Sequence, residues 1–273
     1  MPIITGYEDT PAGHDALVLG AQLARLTELR PVVTTVYPDD GRGVTARARD
    51  PRWRQRTEVV AQDRLARART LVGADGFGAD PEFHWLGSAN VHTALVAYAD
   101  EVGASILVVG STGPGLAGRP AAGGTVQRLL PLARCPVAVA PLGYRNIAPE
   151  RITVVTVAYD ASPESDRAAA VAAHLAGRTG AALRFVAVAE TPEQRPAARA
   201  AVQRGLAYAP VEIDALVDVV DGSVGRALAD LPGRTDLLVV GSRGYGFMRR
   251  LLLGGVVSVL VREAYYPVVV VPG

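Results

Sequence analysis

Lysine is missing from this chain: all 28 residues in the Lys+Arg count are arginines. A P-loop lysine, a Schiff-base lysine and attachment of a pyridoxal cofactor are thereby excluded. Cysteine occurs once, as Cys135, so neither an intramolecular disulfide nor a cysteine metal cluster can form. Beside Pro136 at the mouth of an apolar strand, Cys135 reads as a small core residue rather than a redox sensor. The four histidines, His14, His84, His92 and His174, have no metal-type partner at helical spacing. No apolar run approaches the roughly 18–20 residues that a membrane span requires. Pro2-Ile3-Ile4 enters a strand without a basic or long apolar leader, so the expectation is a soluble, cytoplasmic protein. The net charge of +1 argues against a general nucleic-acid binder. A hydrophobic share of 49% fits a globular chain.

What is present is repeated. Asp236-Leu237-Leu238-Val239-Val240 reads as a buried parallel strand. It runs into Gly241-Ser242-Arg243-Gly244, and Gly254-Gly255 follows before a helical stretch over Val256–Val261. Glycine admits close backbone approach, and a helix start offers unpaired N–H groups and partial positive charge. That combination holds phosphate. The earlier copy is Ser105-Ile106-Leu107-Val108-Val109, then Gly110-Ser111-Thr112-Gly113, then Gly123-Gly124. Both copies follow G-x2-G-x9-G-G, offset by 131 residues. Each leads to a helix and a further apolar strand, Pro136-Val137-Ala138-Val139 or Pro267-Val268-Val269-Val270-Val271. So long a period means two copies of one domain, expected over 1–143 and 151–273 and joined by a linker at 142–150.

Taken in order, the first copy predicts strands at Pro2–Tyr7, Pro31–Tyr37 and Glu82–Leu86 ahead of the glycine strand. Helices are expected near Gly13–Leu29, Thr57–Val72 and Val91–Glu101. Pro38–Arg56, rich in arginine, reads as a loop. The second copy predicts strands at Ile152–Tyr159, Leu183–Ala189 and Leu216–Val220. Its helices are expected at Glu164–Thr179, Pro192–Tyr208 and Val224–Leu231. The offset at the first strands is 152 residues, so the first copy carries 21 extra, assigned to Pro38–Arg56. Strands alternating with helices imply a parallel sheet covered on both faces, with ligands bound beyond the strands' carboxyl ends.

Other chemistries find little support. Asp39-Asp40 and His14-Asp15 lack a third partner or a nucleophile elbow, so a hydrolase is not expected. A Rossmann dehydrogenase needs G-x-G-x-x-G after the first strand, where this chain has Glu8-Asp9-Thr10-Pro11 or Asp160-Ala161-Ser162-Pro163.

The order of these motifs, found twice, resembles the universal stress protein domain over nearly the whole chain. The resemblance implies two flavodoxin-like α/β domains, each a five-stranded parallel sheet of order 3-2-1-4-5. It also implies adenine-nucleotide binding, to ATP with or without Mg²⁺, since some members bind ATP and some bind no nucleotide. Carried over, the second-copy positions are Asp160 with Ala158 before it, Val188, Gly241, Gly244 and Gly254, with Arg243 a candidate for phosphate. In the first copy they are Glu8, Val36, Gly110, Gly113 and Gly123.

Two departures matter. The Ser/Thr after the third glycine is Gly255 or Gly124, which removes a hydroxyl worth about 1 kcal/mol. Thr125 and Ser258, close by in sequence, are candidate substitutes. Glu8 replaces the usual Asp, and its extra methylene favours the second copy as the nucleotide site. Two function classes follow: an adenine-nucleotide-binding regulator of a stress response, not an enzyme, or a nucleotide-free interaction scaffold. Both imply an unidentified regulatory protein partner. The resemblance also pairs the last strands, Val137–Val139 with Val268–Val271, within the chain, and leaves room for a homodimer.

Overall fold

Short Val/Ile/Leu runs alternating with helical stretches can bury their apolar surface only as a sheet between helices. The computed structural model describes residues 1–38, 51–73, 76–112, 124–242 and 255–273. The first half comprises β1 (Pro2–Gly6), α1 (Pro11–Thr27), β2 (Arg30–Tyr37), α2 (Pro51–Val72), β3 (Glu82–Gly87), α3 (Val91–Glu101), β4 (Ile106–Gly110), α4 (Thr125–Leu129) and β5 (Val137–Ala140). The second comprises β6 (Val154–Ala158), α5 (Pro163–Thr179), β7 (Ala182–Ala189), α6 (Arg195–Gly205), β8 (Ala215–Asp221), α7 (Val224–Ala229), β9 (Leu237–Gly241), α8 (Gly255–Glu263) and β10 (Val268–Val271).

The ten strands among the described residues form one sheet, β3-β2-β1-β4-β5-β10-β9-β6-β7-β8. Each half has the order 3-2-1-4-5, and every pairing inside a half is parallel. The halves meet through an antiparallel contact, with Val268 opposite Val139, Val269 opposite Ala138 and Val270 opposite Val137. Every residue of β5 and β10 is buried. One apolar core runs under α1 and α5 and joins Leu19 and Ala138 to Ala172 and Val269. Another, on the opposite face, joins Leu107 and Leu129 to Leu238 and Leu260. Cys135 lies at the margin of that second core, and burial pushes its thiol up to about 11.

The helix starts follow from local chemistry. Thr10 caps α1 by accepting from the Gly13 N–H, and Ser162 caps α5 by accepting from the Ser165 N–H. Each cap precedes a proline at the first helical position, whose missing N–H is no loss there. The stretch expected as a loop is partly helix. Residues 39–50 lie outside those described, but α2 begins at Pro51 and runs for 22 residues, against 11 for its counterpart α6. Part of the extra sequence therefore lengthens a helix. Arginine and glutamine propagate a helix without an apolar stripe, so periodicity gave no sign of its start.

The segment between the halves is fastened to α1. Asp15, fully buried, accepts from the Gly143 N–H at 2.7 Å and the Arg145 N–H at 3.0 Å. The Arg145 guanidinium donates to the same carboxylate at 3.0 Å. Tyr144 is buried, and its hydroxyl donates to Gln22 Oε1. Asp15→Ala removes the acceptor of two backbone donors and a cation. We expect it to cost about 2–4 kcal/mol in urea unfolding, and Arg145→Ala less than half of that.

In the second half, Asp236 joins the starts of β9 and β6. Its Oδ2 accepts from the Thr153 N–H at 2.7 Å, Thr153 Oγ1 at 2.8 Å and the Val154 N–H at 3.1 Å. Burial pushes its pKa up, but hydrogen bonds from Thr153, Arg234 and Val154 outweigh this and hold it below the ordinary range. A carboxyl depressed on folding contributes stability above its unfolded pKa, near 4, and loses it as pH falls through the folded value. Asp236→Asn should therefore cost about 1–3 kcal/mol at pH 7. Urea midpoints of mutant and wild type should converge below about pH 4.

Candidate functional site

In this sheet β1 and β4 are neighbours from which the chain departs in opposite directions, and a crevice opens beyond their carboxyl ends. The first half has a cavity of about 150 Å³ there. Strand order sets its layout. Val36 at the end of β2 lies on one flank. Glu8, just after β1, lies in the middle. Gly110 at the end of β4, with Ser111 and Thr112 after it, faces Gly124 and Thr125 at the start of α4. Val91, Leu95 and Val109 supply apolar wall.

Thr34 adds a polar group to the floor. Alternation along β2 puts it on the same face as Val32 and Val36, and it lines the cavity. Its hydroxyl is buried without a hydrogen-bond partner among the described residues. Such a group usually has an explanation in water or ligand. The Glu8 side chain is exposed and has no hydrogen-bond partner among the described residues. Its neighbour Asp9 is engaged, with Oδ1 3.0 Å from His14 Nε2 and Oδ2 accepting from Arg67 of α2. Hydrogen bonds from His14 first, then Arg67, hold Asp9 below the ordinary carboxylate range. Burial, then the Asp9 charge, pushes Tyr7 up to about 12.

The first-half residues singled out from sequence, Glu8, Val36, Gly110, Gly124 and Thr125, thus come together around one cavity. Gly113 and Gly123 lie outside the described residues. The second-half set is distributed differently. Ala158 and Val188 are buried, Gly241 is half-buried and Gly255 is exposed. Arg243, Gly244 and Gly254 lie outside the described residues. Asp160 Oδ1 accepts from the Ser162 N–H at 3.0 Å and from Ser162 Oγ at 2.5 Å. It braces the residue that caps α5, across Ala161 at φ 61°. Ser258, considered from sequence as a hydroxyl for its own copy, lines the first-half cavity instead.

The sequence model of the Universal stress protein family matches residues 1–141 and 152–272. The chain belongs to the universal stress protein family. It is a tandem member, with one domain in each half. A universal stress protein of Mycobacterium tuberculosis is 26% identical over 293 residues, with 100% of both chains covered. A second from that organism is 32% identical over 181 residues, 61% of each chain. A universal stress protein of Archaeoglobus fulgidus superposes with a TM-score of 0.72 at 17% identity, covering 99% of this chain and 98% of the other. A putative universal stress protein of Pseudomonas aeruginosa gives 0.60 at 16% identity, covering 99% and 92%. At these identities the structural likeness is one of fold.

Within this universal stress protein, several cavity residues escaped sequence reasoning. Ser111 and Thr112 sit inside the glycine motif, so the motif itself could have named them. Thr34 was findable two residues before Val36, on the same strand face. Arg262, also in the lining, has no local signal and needs the tertiary structure.

The glycines divide by duty. A Cβ at Gly110 would lie 1.9 Å from the Ala12 carbonyl oxygen, so this position is glycine to let β4 pass the start of α1. Among the described residues a Cβ at Gly124 would meet only Thr112 Oγ1, at 3.9 Å. Gly110→Ala should destabilise by roughly 3 kcal/mol. Gly124→Ala should stay within about 0.5 kcal/mol of wild type, both read from thermal or urea unfolding.

Proposed function

We propose that this universal stress protein binds an adenine nucleotide, with ATP the preferred form, in the first-half cavity, and acts as a regulatory factor in a stress response. The observation that carries this reading is the convergence of Glu8, Val36, Gly110, Gly124 and Thr125 on one cavity. The lining suits the ligand from end to end. The wall around Val36 and Leu95 is apolar, as a base requires, with the Thr34 hydroxyl beneath it. Glu8 offers a carboxylate to a ribose hydroxyl. The start of α4, beside the turn after β4, offers backbone N–H groups to phosphate.

Sequence alone favours the second half, because Asp160 is the family residue and Glu8 is not. Geometry shifts the weight to the first half. Asp160 is already bonded to Ser162, whereas Glu8 is uncommitted among the described residues. We propose a binding role rather than turnover. The charged side chains of the described lining are Glu8 and Arg262, which offer no arrangement for phosphoryl transfer. The described lining has no carboxylate near the turn after β4, so among the described residues none is placed there to hold Mg²⁺, which would arrive on the phosphates.

The test is to denature freshly purified protein and identify released nucleotide by chromatography and mass. Photolabelling with 8-azido-ATP and peptide mapping then assigns it to a half. Labelled first-half peptides support the reading, and second-half peptides would move the site to Asp160. No released nucleotide, with no thermal shift on adding ATP and Mg²⁺, would leave the scaffold reading. Restoring the family hydroxyl gives a gain-of-function check. Gly124 has φ −53° and ψ 142°, open to any residue, and among the described residues there is space for a side chain. Gly124→Ser should tighten ATP roughly fivefold by titration calorimetry, the value of one added hydrogen bond.

A further inference from the structure

The first-half cavity is not built by the first half alone. Ser258, Val261 and Arg262, all on α8 of the second half, belong to its lining. Their spacing, i, i+3 and i+4, makes them one stripe of that helix. Val257 and Leu260, on the adjoining stripe, are buried in the core. The contact is fixed by a hydrogen bond from Ser111 Oγ to the Val261 carbonyl, 2.9 Å long. Ser111 belongs to the turn after β4, the segment facing the start of α4. The second half therefore reaches the flank of the cavity opposite Val36.

Charge then decides what Arg262 does there. Among the described lining residues Arg262 is the sole cation and Glu8 the sole anion. Arg262 donates to Glu263 Oε1 at 3.0 Å, and the two side chains are 39% and 42% exposed. An exposed pair of this kind contributes little, so the guanidinium can exchange it for a better acceptor at small cost. A phosphate is such an acceptor, because the planar fork of arginine matches its oxygens. The position where the family carries a phosphate-directed hydroxyl is Gly124 here.

We propose that Arg262, supplied by the second half, is the cation that binds the phosphates of a nucleotide held by the first half. The site is then complete only across the β5–β10 contact. By reciprocity, whatever affinity the contact adds to phosphate, phosphate adds to the contact. This inference rests on the nucleotide reading above.

The experiment is titration of the full chain with adenosine, AMP, ADP and ATP. It compares wild type with Arg262→Gln, Arg262→Lys and the control Arg226→Gln, a nearby α7 arginine outside this lining. Wild type should bind more tightly as phosphates are added. Arg262→Gln should weaken ATP roughly tenfold or more, the usual worth of a charge-assisted contact, while adenosine stays within about twofold. Arg262→Lys should retain part of the ATP preference, and Arg226→Gln all of it. Adenosine binding serves as the check that Arg262→Gln is folded. Equal ATP affinity in Arg262→Gln and wild type, with photolabel on first-half peptides, overturns this inference and leaves the nucleotide reading standing. Failure of wild type to bind any of the four ligands overturns both.

Discussion

The antiparallel contact between β5 and β10 is the constraint on which the rest of this molecule depends. Each half ends in a short apolar strand that would otherwise present an open edge. An exposed edge of that composition is a template for aggregation. Pairing the two edges satisfies both at once and turns two five-stranded sheets into one of ten. Both apolar cores then run through the joint rather than stopping at it. The same contact carries α8 to the flank of the first-half cavity. Assembly and site are thus set by one pairing, and a change that parts the strands reaches the cavity as well.

The two halves share a topology but use their first-strand carboxylates differently. In the second half Asp160 is short enough to fold back on Ser162, whose hydroxyl caps α5. In the first half Thr10 caps α1, and although the Glu8 carbonyl accepts from the Thr10 N–H, the Glu8 side chain takes no part in the cap among the described residues. The longer side chain is consequently left for the cavity. The substitution that looks from sequence like a loss of ribose geometry also releases a carboxylate from a structural task. Buried Asp15 and Asp236 show the opposite use, each spending its oxygens on backbone donors that would otherwise go unpaired.

Most of the fold was legible in the sequence because its signals are local. Val-rich runs, glycine turns and Thr10-Pro11 or Ser162-Pro163 starts each act within a few residues. The duplicated glycine spacing then supplied the domain count. The start of α2 was not legible, since an arginine-rich helix carries no apolar period. Part of the candidate site was legible for the same local reason. Glu8, Val36, Gly110, Gly124 and Thr125 lie at strand ends or helix starts that the motif marks. The segment 142–150 read as a linker, yet Tyr144 within it is buried. A composition rich in Gly, Asn and Pro describes backbone freedom, and says nothing of which side chain a neighbouring helix will cover.

The remaining part of the site was illegible for a reason that bears on how such motifs are read. A motif records contacts made by residues near one another in the chain. Gly124 and Gly255 therefore appear only as lost hydroxyls. The proposed role of Arg262 would set a gain beside the loss, because α8 of the other half brings that arginine to the border of the first-half cavity. A neutral donor acts over one hydrogen-bond length, whereas a guanidinium acts through its charge as well and with two parallel donors. The exchange would alter what the site measures. A site made from one domain reports only on its ligand. A site closed by the neighbouring domain would also report on whether the two halves are joined, which suits the regulatory role proposed above.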